Sequence, residues 1–261
     1  MKTNFKFFAV AIAAIMTIGS VTLVSCNKEE STKQIAGMSN TKNNPLSNPE
    51  NPYDSIGLIH NNAMNDLIFI HNGLPFSMKE AIVAAEEYLY DKGYDTTGVY
   101  TLVSEIIHDA KSNYSTVVSS QNLSSASIDA VTAMMYDVAT MSLSGNYNGY
   151  ESYRKYLMEV EANIIANADI PSSEKGKLLT ATAVYRYSLY YWYKNFGNVK
   201  LSFWGKIAII AGADFVGALV AGGQGAIATS FAASAALAVA GEAEATVDTV
   251  NKNVEYGIDI E

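Results

Sequence analysis

The chain has little with which to cross-link or clamp itself. Its 261 residues include one cysteine, Cys26, so no disulfide can form within it and stability has to come from packing. Histidine is nearly as scarce: His60, His71 and His108, the nearest pair eleven apart. Zinc sites on helices put two imidazoles on one face, as in His-Glu-x-x-His, and that spacing is missing. The three are expected to be ordinary surface or core histidines, with no metal and no cofactor. Positive charge is in deficit, with 17 Lys and Arg against 26 Asp and Glu and a net charge of −9. An acidic protein is a poor match for phosphate backbones, which excludes nucleic acid as a partner. There is no Gly-x-Ser-x-Gly elbow and no glycine loop of the kind that cradles phosphate. The acid pairs Glu86-Glu87 and Glu159/Glu161 point to different helix faces and are expected to sit in solvent. No run of β-branched residues alternates with period two, which excludes a sheet protein.

What is present starts with hydrophobic mass: 49% of residues are hydrophobic and only 16% charged, enough for a core and far from a disordered profile. The front of the chain carries an address. Lys2 and Lys6 precede an apolar run from Phe7 to Val24, and Leu23-Val24-Ser25 leads directly into Cys26. A charged start followed by an apolar stretch reads as export. The arrangement resembles the lipobox of bacterial lipoproteins. That resemblance implies cleavage between Ser25 and Cys26, a diacylglycerol on the thiol and acylation of the new amino group. Residues 1–25 are then a signal peptide, and the loss of Lys2 and Lys6 takes the net charge from −9 to −11. The partner it implies is the membrane, reached through the lipid on Cys26.

Asn27-Lys28-Glu29-Glu30 resembles the export signal of surface-exposed lipoproteins of the Bacteroidota type, which implies attachment to the outer membrane and display at the cell surface. Residues 26–52 read as the lipidated cysteine and a tether rich in Ser, Thr, Asn and Lys, with Pro45, Pro49 and Pro52 breaking any helix. Asn51-Pro52-Tyr53-Asp54-Ser55-Ile56-Gly57 resembles the opening of uncharacterised Bacteroidota-type lipoproteins. This supports an origin and implies no activity.

The remainder, 53–261, reads as one helical domain. Asp54 or Ser55 is expected to cap a first helix, with Ile56, Ile59, Ala63, Leu67 and Ile70 at helical spacing. Ser77-Met78-Lys79-Glu80 forms a capping box for a second, stopped by Gly93. A third is expected from about Gly98 to Asn113, then a Ser-rich loop over 114–124. A fourth spans about Ser125 to Met141, and a fifth ends near Asp169. A sixth, Ser173 to Phe196, is the most aromatic; a seventh and eighth cover Ser202–Ala221 and Ala226 to about Val250. The predicted fold is an all-α bundle of seven or eight helices.

Two features invite a function. Tyr147, Tyr150, Tyr153 and Tyr156 recur every three residues, and such rings could face a glycan or protein ligand, although helices in a bundle also bury tyrosine rings while the hydroxyl reaches a polar group. From Phe215 to Gly241 no residue is charged, and small residues recur every four: Ala213, Gly217, Ala221, Gly225, then Ala228, Ala232, Ala236, Ala240. Such ladders let helix backbones approach closely, so a tight helical hairpin is expected, broken at Gly222–Gly225. The preferred function is a lipid-anchored binding or structural module without catalysis. The alternative is a membrane-active, bacteriocin-like protein that inserts residues 207–240.

Overall fold

A computed structural model describes residues 46–71, 77–112, 114–144, 150–196 and 202–240. They all belong to one compact unit, 39–261. Every regular element among them is helical: α1 (Asp54–Ile70), α2 (Met78–Asp91), α3 (Val99–His108), a 3-10 turn (Asp109–Ser112), α4 (Ser115–Ser120), α5 (Ser125–Ser144), α6 (Tyr150–Ala166), α7 (Ser172–Phe196) and α8 (Ser202–Ala240). Cys26, the signal segment and most of the tether lie outside the described residues.

Local chemistry sets several of the boundaries. Ser77 accepts from the Glu80 amide at 3.2 Å, as a capping box requires. Gly93, at φ +83°, ends α2, and the Tyr94 amide closes back on the Leu89 carbonyl at 3.0 Å. Two boundaries differ from the sequence reading. The cap of α1 is Tyr53, without a side-chain bond, and Asp54 is the first helical residue. Its carboxylate is committed elsewhere, as described below. The stretch expected as loop over 114–124 contains α4, and α3 stops at His108. Here Tyr114 takes a left-handed φ of 61° and drives its ring into the interior, where its hydroxyl donates to the Ile209 carbonyl at 2.5 Å. Asp109 then accepts from the Val117 amide at 2.8 Å, which caps the short helix.

The bundle is built around α7 and α8. From Leu178 to Trp192 every α7 residue except Tyr190 is buried, and α8 is buried from Ile210 to Leu219 and from Gly225 to Ala233. The helix α8 packs against α7, α2, α3, α1 and α5, while α7 also holds α1 and α6. A helix apolar on all sides needs such a jacket.

The expected hairpin is present within α8. Gly222 alone leaves helical geometry, at φ 73° and ψ −160°, a conformation glycine reaches without a Cβ clash. The chain folds back there, because Ser230 reaches Asp214 at 2.9 Å, whereas sixteen residues of straight helix would separate them by about 24 Å. The arms cross where the small-residue ladder places glycine. A Cβ on Gly217 would sit 2.8 Å from the Gly225 carbonyl oxygen. No described helix is long and apolar enough to cross a membrane.

Candidate functional site

Two polar clusters are sealed within this apolar body, and they hold its chemistry. The first ties the front of the chain to the centre. Leu46, Asn48, Asn51 and Asp54 are all buried, so the body begins at least as early as residue 46. The tether boundary at 52 moves forward accordingly. Asn48 and Asn51 donate from their side-chain amides to the two oxygens of Glu161, at 2.5 and 3.0 Å, and Asn51 also reaches the Leu179 carbonyl at 3.0 Å. Arg186, on the buried stretch of α7, donates to the Leu46 carbonyl and the Asp54 carboxylate, and to Glu161 at 3.2 Å. Tyr187 donates its hydroxyl to Asp54 at 3.1 Å, and the Asn48 amide reaches the other oxygen, also at 3.1 Å.

Glu161, expected in solvent, is fully buried; Glu159 and Glu87 are exposed and Glu86 is half-buried. The reason is the guanidinium: a buried cation demands carboxylates at hydrogen-bond range. Burial pushes the Glu161 carboxyl up, with Arg186, Asn48 and Asn51 pulling it back.

The second cluster lies where α1, α7 and both arms of α8 meet. Asp214 is fully buried and accepts from Ser188, and from Ser230 at 2.9 Å, with Trp192 also beside it. His60 faces it from α1, Nε2 to Oδ2 3.8 Å, both side chains at zero exposure. The other ring nitrogen meets Asn61 Oδ1 at 3.0 Å, and the Asn61 amide is oriented by its own donation to the Tyr187 carbonyl at 2.9 Å. Nδ1 therefore carries the proton in the neutral ring, and Nε2 turns its lone pair toward Asp214. Burial pushes Asp214 up to about 8, against the pull of Ser188, Ser230 and Trp192. Burial also pushes His60 down to about 4, with Asn61 and the Ala226 backbone pulling the other way.

Ser188, Asp214 and His60 have the composition of a nucleophilic triad but not its order. The carboxylate stands between hydroxyl and imidazole, so the serine donates to an acid and has no base beside it. What the arrangement can do is hold a proton.

The tyrosines anticipated as ligand-facing are placed differently. Tyr147 lies outside the described residues. Tyr150 and Tyr153 are buried, which corrects that expectation for both: Tyr150 donates to the Arg186 carbonyl at 3.0 Å and meets Tyr190 edge-on with centroids 5.0 Å apart. Tyr156 is half-buried and donates to Asp137 at 2.6 Å. Three exposed rings, Tyr90, Tyr94 and Tyr100, gather at the α2–α3 corner, next to Tyr88, whose hydroxyl donates to Asp66 at 3.1 Å and whose face carries Lys92, while Phe69 and Tyr136 are exposed elsewhere. His71 and His108 are exposed, and no three metal-ligating side chains stand together among the described residues.

Sequence reasoning missed Arg186. The missed signal was the one charge in the aromatic helix between Lys177 and Lys194. No protein-family model, curated protein or solved structure matches the chain.

Proposed function

We propose that the chain is a lipid-anchored protein of the bacterial cell envelope, carried on the outer membrane through Cys26. It serves there as a binding or structural module rather than a catalyst. The observation that carries this reading is Leu23-Val24-Ser25-Cys26 at the end of an apolar segment headed by Lys2 and Lys6. Attachment by lipid takes at least two acyl chains, because one alone binds only marginally, and a cysteine acylated on both sulfur and nitrogen supplies them.

The helical body fits a displayed module. Its polar clusters are closed off and bind each other, and the second contains no activated nucleophile. A protein or glycan partner would find three neighbouring exposed rings at Tyr90, Tyr94 and Tyr100, where aromatic faces stand beside the polar groups of Glu86 and Lys92. The membrane-active alternative asks the hairpin to exchange a complete jacket of helices for lipid, and Asp214 to enter it.

Mass spectrometry of the N-terminal peptide from the membrane fraction tests the anchor. The expected peptide begins at Cys26 and carries diacylglycerol plus an amide-linked acyl chain, with metabolic label from palmitate. An unmodified Cys26 within an intact 1–30 segment would contradict the reading.

A further inference from the structure

The closed cluster at Asp214 is costly to build, which makes its proton content the question. Asp214 Oδ1 and His60 Nε2 are both fully buried and make no hydrogen bond of full geometry, with Trp192 beside the carboxylate and the Ala226 backbone beside the ring; buried polar atoms left in this state are costly. Three proton counts are possible for the pair. With none, a bare carboxylate faces an imidazole lone pair, two acceptors in a dry site with no cation to compensate. With two, a buried imidazolium faces a neutral acid. With one, a donor faces an acceptor across 3.8 Å, whichever of the two carries the proton. Only the one-proton form satisfies both sides.

The site also joins α1, α7 and both arms of the hairpin. His60 is on α1, Ser188 and Trp192 on α7, Asp214 on the first arm of α8 and Ser230 on the second. The other titratable groups acting on Asp214 are Tyr114, ahead of α4, and Tyr185 on α7. Both are pushed upward, first by burial, and stay neutral. No Lys or Arg lies between Lys206 and Lys252 to take over the charge.

We propose that His60 and Asp214 form a one-proton latch that fastens the C-terminal hairpin to α1 and α7 and loosens it when the proton is lost to solvent. The inference stands apart from the lipid anchor. Its direction follows from proton counting. In an unfolded chain the pair holds one proton from about pH 3.9, the carboxyl value, to about 6.5, the imidazole value. In the fold it holds one from about 4 to about 8. The two ranges nearly coincide at the acid end, so acid costs the latch little. At the other end the folded pair keeps a proton that the unfolded chain releases. The contribution is therefore complete below pH 6.5 and is lost as pH rises through 8. An acid-triggered release of the hairpin would have the opposite sign.

Hydrogen exchange of residues 207–233 in the full chain, corrected for the intrinsic rate, tests this against Asp214→Asn. The variant keeps the shape and can donate to His60 without titrating. Hairpin protection in the wild type should fall by about twentyfold between pH 6.0 and 8.5, a fall the variant does not share. Equal losses in both would overturn the latch. Should the variant fail to fold, nitrogen NMR of the His60 ring in the wild type decides. A flat response from pH 5 to 7 is expected, and an ordinary titration centred near 6.5 would overturn it.

Discussion

Arg186 is the one charge between Lys177 and Lys194, and it lies at zero exposure with Asp54, Glu161 and the Leu46 carbonyl around it. Removing one partner of such a group strands the others in a dry interior, a loss of about 3–5 kcal/mol, whereas the net gain from the intact network is far smaller. Arg186→Met should therefore lower the unfolding free energy by about 3–5 kcal/mol, because Asp54 and Glu161 are left facing each other. Denaturant unfolding followed by circular dichroism measures it; a loss within the range of an ordinary surface change would show the cluster to be solvated. Glu161→Gln, which keeps an acceptor for one of Asn48 and Asn51 and leaves Asp54 to pair with Arg186, should cost less. Little of this could be read from sequence. Asn48, Asn51 and Asp54 share a spacing of three with prolines between, a composition that signals a linker. Their partners Glu161 and Arg186 lie more than a hundred residues away, where no local pattern connects them.

At the scale of elements, periodicity and punctuation were legible. The α2 capping box, the Gly93 stop and the extents of α5, α6 and α7 follow from short-range chemistry that the sequence displays directly. The element that escaped was α4, which depends on Tyr114 holding a left-handed backbone so that its ring can pack against Gly212. Only tertiary contact stabilises that conformation, and six residues of Ser, Thr and Val give no helical signal by themselves. The hairpin lies between these cases: the four-residue ladder of small side chains announced a close crossing, and the crossing is at Gly217 and Gly225. Three glycines there should respond differently to alanine. Gly217→Ala drives a methyl into the Gly225 carbonyl and should cost about 1–3 kcal/mol. Gly222→Ala has open space but a φ of +73°, and should cost about 1–2 kcal/mol through strain alone. Gly223→Ala meets only the Ile56 methyl, at 3.3 Å, and should be the mildest. Thermal unfolding of the three ranks them, and equal effects would mean the arms do not cross where the ladder places them.

For the whole molecule, the account divides the labour between two apolar segments. The first, ahead of Cys26, is read as an export signal that is cut away; the second, in α8, is held inside a jacket of helices where its one acid has polar partners. The body then needs no lipid contact of its own. It should leave liposomes intact at neutral and acidic pH alike, which dye release would check, with leakage favouring the membrane-active alternative. On the proposed reading, the lipid on Cys26 is then the sole attachment. Fractionation of cells expressing Cys26→Ser tests that division most directly: the account predicts that the variant moves from the membrane to the soluble exported fraction with its helical circular dichroism unchanged, and a variant that stays with the membrane would contradict it.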